Sequence, residues 1–484
     1  MMKYGIKLVY LLIVLINFNC TKNDISKPLQ NYSKLNDSLY KYAQDVYLWN
    51  DKLPHYSVFL SQNTIKGNTE EDILRNEIFA ISKYAINNST DKSYEFFGKL
   101  PLEPKYSRIV AHQVSSQSER NFGISLVAYN DSLFVQYVIP GSPADNEALK
   151  RGDKILKINT QAVSFNLSFE AYLEQSLKDD RLELTVVRNG VEADILLFKE
   201  YYNASPINHL SLLNEQTGYI SLLQFSNISA AQLQDKINFL GGISSLIIDL
   251  RYNNGGFVNL VEELANLLIP YSFNKQIMRK ERYNTVMQSG LAFSLLSQPL
   301  VKDDGTPIYI NGHAASLFDI DYSIDANTYF FNKKTGIPDL KKIVFIVSDK
   351  TASASELLIS ILKPYIKTKI IGVSSSGESN VRTFGKPVGF FKLMLGRFDL
   401  YLSMFQNFNK DDEGGYYDGI PADVTVIDNV RYDFGSIADE SVKMALHFIE
   451  GVKIDSLKQN SRSSIGLKEM KSVAPGPELL IRSF

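Results

Sequence analysis

Apolar residues recur at helical spacing early in the chain. Leu39, Tyr42, Ala43, Val46 and Tyr47 share one face, which predicts a helix, and a second is predicted over about 70–85. From 107 to about 200 the pattern changes to short alternating runs at 132–138, 181–187 and 193–198. Turn signals such as Asn130-Asp131 and Asn189-Gly190 separate them, which predicts an independent β-rich module. Beyond Gly218 the apolar runs become continuous. Residues 218–222, 246–250, 343–347 and 370–373 read as strands, several buried on both faces, and 260–268 reads as an amphipathic helix. A further helix is predicted from Ser353 to about Ile366, and a last one over 438–449. Repetition of strand, loop and helix predicts a largely parallel sheet covered by helices. Residues 270–341 are irregular, polar and aromatic, and are expected as an insertion.

The first residues follow another pattern. Lys3 and Lys7 precede the apolar run 8–16, which ends in Asn17-Phe18-Asn19-Cys20. A basic start and an apolar run too short for a stable span predict a signal peptide over 1–19. Cys20 is the only cysteine, so no intrachain disulfide can form. Followed by Thr21-Lys22-Asn23-Asp24, it resembles the lipidation site of a bacterial lipoprotein, although Asn19 stands where a small residue is usual. The expectation is an exported protein of a bacterial cell envelope. It would be membrane-anchored through Cys20, periplasmic or surface-facing, or else secreted, with residues 20–36 as a polar tether.

A chain of 484 residues has room for two or three domains with sizeable cores. Its formal charge of −2, with no long basic block, gives nucleic-acid binding no electrostatic support. The histidines, His55, His112, His209, His313 and His447, are scattered without metal-binding spacing, so neither a metal site nor a cofactor is expected.

Two loops stand out because each follows a buried strand, and functional groups of open α/β sheets gather beyond the carboxyl ends of the strands. One is Tyr252-Asn253-Asn254-Gly255-Gly256 and the other Thr351-Ala352-Ser353-Ala354-Ser355-Glu356. The second contains the S-x-x-E form of a capping box: Ser353 would cap a helix and Glu356 bond back. By itself this marks a helix start. It leaves the Ser355 hydroxyl uncommitted in the first turn, at the positive end of the helix dipole. A serine hydroxyl needs a base, and an unprotonated lysine can serve. Lys386, in Phe384-Gly385-Lys386, is the candidate, because its neighbours Pro387, Val388, Gly389 and Phe390 are apolar and include no carboxylate. To act as base it must fall several units from ~10.4, which burial can achieve. The amides of Glu356 and of Gly255 or Gly256 are candidate oxyanion donors.

Residues 107–200 resemble a PDZ domain. The match rests on Pro140-Gly141-Ser142-Pro143-Ala144 and on the run Arg151-Gly152-Asp153-Lys154-Ile155. The resemblance implies capture of an extended peptide, or a terminal carboxylate, by the loop Phe122, Gly123, Ile124 and Ser125. Residues 37–450 resemble a carboxyl-terminal processing protease, the S41 family of Ser-Lys peptidases. The matching pieces are Asp249-Leu250-Arg251-Tyr252-Asn253-Asn254-Gly255-Gly256, the Ser355 run, Phe384-Gly385-Lys386, and Gly419-Ile420-Pro421-Ala422-Asp423-Val424. The family implies an α/β multidomain protein. Its parts would be a small helical region at 37–106, a PDZ domain at 107–200, a ClpP/crotonase-like Ser-Lys core at 201–450 and a tail at 451–484. It further implies a serine endopeptidase acting on polypeptides through their C-termini, with Ser355 as nucleophile and Lys386 as base. Two departures stand out. Phe390 occupies the position four residues after the lysine where many members carry a glutamine, and the stretch between Gly372 and Phe384 is long. A catalytically silent, peptide-binding relative is the alternative.

Overall fold

The computed structural model describes residues 28–98, 103–112, 120–302, 305–310, 312–375 and 377–452. The signal segment, Cys20 and the tail from 453 lie outside the described residues. The first helix runs Pro28–Val46, so it already occupies the second half of the expected tether. The other helix expected in this region is Glu70–Ser82, opened by a full capping box between Thr69 and Asp72, and a short helix, Tyr56–Gln62, precedes it. Among the described residues no helix is long and apolar enough to cross a membrane.

The expected multidomain α/β architecture is present. The sheet of the PDZ-like module has the order Ile124–Tyr129, Ser132–Val138, Lys154–Ile158, Arg181–Arg188, Val191–Phe198. It encloses its own apolar core with the helix Leu167–Lys178, whose Phe169, Leu173 and Leu177 point inward. The core sheet follows the order Ile207–Asn214, Thr217–Leu222, Ser245–Asp249, Lys342–Val347, Lys367–Ser374, Val424–Ile427. Its first pair is antiparallel and the rest are parallel. Helices Val258–Leu268 and Ala354–Leu362 pack on one side and Glu440–Glu450 on the other, which is why the central strands are apolar on both faces.

The segment 270–341 is more regular than its sequence suggests. Ile277–Tyr283 is an inner strand of a four-stranded sheet with Thr328–Phe330, Phe405–Phe408 and Val388–Gly389. It looked irregular because its buried face carries Arg279 and Glu281. The two are paired, Arg279 lying 2.6 Å from Glu281 and also 2.5 Å from Glu262. The last strand of this sheet starts two residues after Lys386.

Candidate active site

Parallel pairing of Ser245–Asp249 with Lys342–Val347 brings the two loops predicted from sequence to one edge. They are stitched together by hydrogen bonds. Thr351 Oγ1 donates to Leu250 O at 2.7 Å, the Ala352 amide donates to Asn253 O at 3.2 Å, and Ser348 Oγ bonds Arg251 O. The Phe384 amide donates to Thr351 O at 2.8 Å, which brings the lysine segment to the same place.

The two serines have different surroundings. Ser355 is fully buried on the first turn of the helix, and its hydroxyl donates to Asn253 O at 3.2 Å. Ser353 stands on the strand-to-helix turn with φ 59° and ψ −115°. A side chain held in that region costs about 1–3 kcal/mol, and such strain clusters at functional sites. In α/β hydrolases a strained strand-to-helix turn projects a nucleophilic serine from the top of the sheet. The Ser353 hydroxyl is buried without a hydrogen-bond partner, while Glu356 reaches back to accept the Ser353 amide at 2.8 Å. Gly255 lies against it: a Cβ there would be 2.8 Å from Ser353 Cβ and 3.2 Å from its Oγ.

Glu356 joins the serine turn to the lysine. One carboxylate oxygen accepts the amides of both Ser353 and Lys386, each at 2.8 Å. The other accepts the Gly385 amide at 2.7 Å and the Thr383 hydroxyl. Burial pushes this carboxyl above the usual carboxylate range, and these four donors oppose the rise. The sequence suggested an apolar setting for Lys386 with no carboxylate; Glu356 and Glu95 both face it, from segments far away in sequence.

Lys386 itself is buried. Burial, followed by the positive charge of Arg108, brings its amine down to about 7, against the pull of Glu356 and Glu95. Its Nζ lies 5.2 Å from the centre of the Phe390 ring, so the residue at the orienting position presents an aromatic face. Neither serine hydroxyl is hydrogen-bonded to the lysine amine in this structure. Catalytic hydrogen bonds are often long in a free enzyme and tighten with substrate.

The two glycine amides of the loop differ. The Gly255 amide is committed to Asn253 Oδ1 at 2.9 Å. Among the described residues no acceptor takes the amide of Gly256, nor that of Ala354, which follows Ser353. Gly256 must be glycine: at φ 138°, a Cβ would sit 2.3 Å from Phe225 O.

In the PDZ-like module Phe122, Gly123 and Ile124 line a cleft with Asn121, Leu177 and Lys199. It opens beside Ile124–Tyr129, an edge strand able to accept an added strand. Ser125 does not join them; it is buried and donates to Gln136 Oε1 at 2.9 Å on the neighbouring strand. The Gly123 amide is held by Asn121 Oδ1 at 2.9 Å.

A strained serine turn and a buried lysine thus meet on the α/β core, in one chain with the PDZ-like module. Residues 216–387 match the model of peptidase family S41 and residues 121–197 that of the PDZ domain. Over these two stretches the chain resembles PDZ-bearing S41 peptidases of the carboxyl-terminal processing type. It is similar to the "Carboxy-terminal processing protease CtpA" of Bacillus subtilis, 24% identical over 272 residues, 55% of this chain and 49% of that protein. It is also similar to the "Probable CtpA-like serine protease" of Staphylococcus aureus, 22% identical over 264 residues, 54% of this chain and 45% of that protein. The chain thus spans about half the length of the curated relatives it matches. A crystal structure from Bacteroides fragilis, described as that of an S41 protease, shares the fold. Its TM-score is 0.57 at 16% identity, over 87% of this chain and 97% of that one.

Proposed function

We propose that the protein is an exported serine endopeptidase with Ser353, not Ser355, as nucleophile and Lys386 as general base. The observation that carries this reading is the single Glu356 oxygen bonded to the amides of both Ser353 and Lys386. Around it, the Ser353 hydroxyl is uncommitted on a strained turn, whereas that of Ser355 is engaged by Asn253. The neutral Lys386 amine takes the Ser353 proton as Oγ attacks the scissile carbonyl. The amides of Ala354 and Gly256 are the donors best placed for the oxyanion. Lys386 returns the proton to the leaving amine, and water, deprotonated by Lys386, releases the acyl group.

The PDZ cleft would engage the polypeptide substrate as an added strand, with a preference for C-termini. Localisation rests on the first twenty residues: the basic start, short apolar run and Cys20 support an exported protein lipid-anchored in a bacterial cell envelope.

The test is cleavage of casein by the purified protein and its variants. Ser353→Ala and Lys386→Ala are expected to lose activity by roughly 10³-fold or more, and Ser355→Ala to keep it within about tenfold. Full activity in Ser353→Ala with loss in Ser355→Ala would return the nucleophile to Ser355. An inactive wild type that still binds C-terminal peptides would favour a silent, peptide-binding relative.

A further inference from the structure

The segment that leaves the N-terminal helical region, Lys105 to Arg108, runs directly past Lys386. Tyr106 is buried, and its hydroxyl donates to Gly385 O at 2.5 Å and reaches Tyr417 O at 3.5 Å. Lys105 Nζ donates to Tyr417 O at 2.7 Å and lies 4.8 Å from the centre of the Phe384 ring. Ser107 is fixed to Glu95 through its amide at 2.9 Å and its hydroxyl at 2.6 Å. Arg108 opens a strand paired with Phe398–Tyr401 and stands over Tyr401.

This segment completes a clamp on the peptide preceding the lysine. On one side Glu356 accepts the amides of Gly385 and Lys386; on the other Tyr106 holds the Gly385 carbonyl. Gly385 allows this close packing: its φ is +84°, and a Cβ would lie 2.3 Å from Tyr417 O. A peptide unit held at both its carbonyl and its amide cannot rotate, so the Cα–Cβ direction of Lys386 is fixed by its backbone. Phe390, which has no polar group, cannot fix it through the amine.

We propose that Tyr106 is a positioning residue for Lys386, acting through the carbonyl of Gly385 and substituting for the polar side chain absent at Phe390. The proposal rests on the reading of Lys386 as the base. The charged groups facing the amine are Arg108, from the same N-terminal segment, and the carboxylates of Glu356 and Glu95; the Phe390 ring covers it. Loosening the clamp lets the amine reach water. It then holds its proton to higher pH, so the acidic limb of the rate profile moves up.

The experiment measures kcat and KM for a peptide substrate against pH in the full chain, for wild type, Tyr106→Phe, Lys105→Met and Lys386→Ala, with a thermal melt of each. Tyr106→Phe removes one hydroxyl and keeps the ring. Its kcat is expected to fall roughly tenfold at neutral pH and recover at higher pH, with the limb raised by about one unit and KM within about twofold. Lys105→Met loses the bond to Tyr417 O, the charge and its ring contacts but leaves the Gly385 carbonyl held by Tyr106, and should keep the limb where it is. An unmoved limb in Tyr106→Phe, or an equal shift in Lys105→Met, would overturn the proposal. Activity surviving in Lys386→Ala would instead overturn the base assignment itself.

Discussion

Ser353 and Ser355 are two positions apart and chemically identical, yet only the Ser355 hydroxyl has a hydrogen-bond partner, Asn253 O. The sequence showed a capping box, and Glu356 does bond back to the Ser353 amide. What the letters could not show is that Ser353 adopts φ 59°, which turns its hydroxyl out of the cap and toward Gly255. Backbone strain of this kind is imposed by surrounding contacts and has no signature in residue type. Lys386 was legible as a candidate base because of its apolar neighbours, but its facing charges come from Arg108, Glu356 and Glu95, none adjacent in sequence. A lysine at about 7 predicts a rate that rises with pH through an ionisation near neutrality. The sign follows from the mechanism: below that value the amine is protonated and cannot accept the serine proton. Lys386→Arg, always charged, should be inactive across the range with its fold retained, as checked by kcat against pH and circular dichroism. Thr383→Val removes one donor from the buried Glu356 carboxylate; we expect a loss of about 1–3 kcal/mol, read by urea unfolding, with reduced kcat.

At the scale of elements, the continuous apolar strands of the core were legible because parallel strands covered on both faces carry a distinctive pattern. The strand Ile277–Tyr283 was not, because it buries Arg279 and Glu281. A buried cation is tolerable only when its counter-charges are present, and one of these, Glu262, comes from the helix Val258–Leu268. Arg279→Met leaves Glu281 without its cation and is expected to destabilise the protein by about 3–5 kcal/mol, measured by urea titration. The glycine loop makes a second prediction. Gly256→Ala places a methyl against Phe225 O at a backbone angle unfavourable to any side chain. Displacing that loop should lower kcat far more than it raises KM, since its amide is proposed to act on the oxyanion.

At the scale of the whole molecule, the PDZ domain is joined to the core by a buried charge network. Arg151 of the PDZ domain donates to Asp428 at 2.7 Å, to Tyr252 at 2.8 Å and to Tyr432 O at 2.9 Å. Asp428 also accepts from Arg251 at 3.1 Å, next to the glycine loop. Burial alone would raise the Asp428 carboxyl; Arg151, Arg251 and Tyr252 more than reverse this and hold it at about 2. Its folded value is therefore below its unfolded one. The resulting stability, roughly 2 kcal/mol, is present above pH ~4 and lost as pH falls toward about 2. Arg151→Met should cost about 3–5 kcal/mol, move acid unfolding to higher pH and speed proteolysis between the two domains.

By itself the sequence determined the class of the fold, the order of its domains and the loops that meet at the site. Periodicity, turn residues and apolar runs are local properties, and short motifs keep their spacing. The tertiary structure decided which serine hydroxyl is uncommitted, which carboxylate holds the lysine loop and which N-terminal tyrosine closes it. Those depend on contacts between Tyr106, Ser353, Glu356 and Gly385, residues up to 279 positions apart that meet only when the chain is folded.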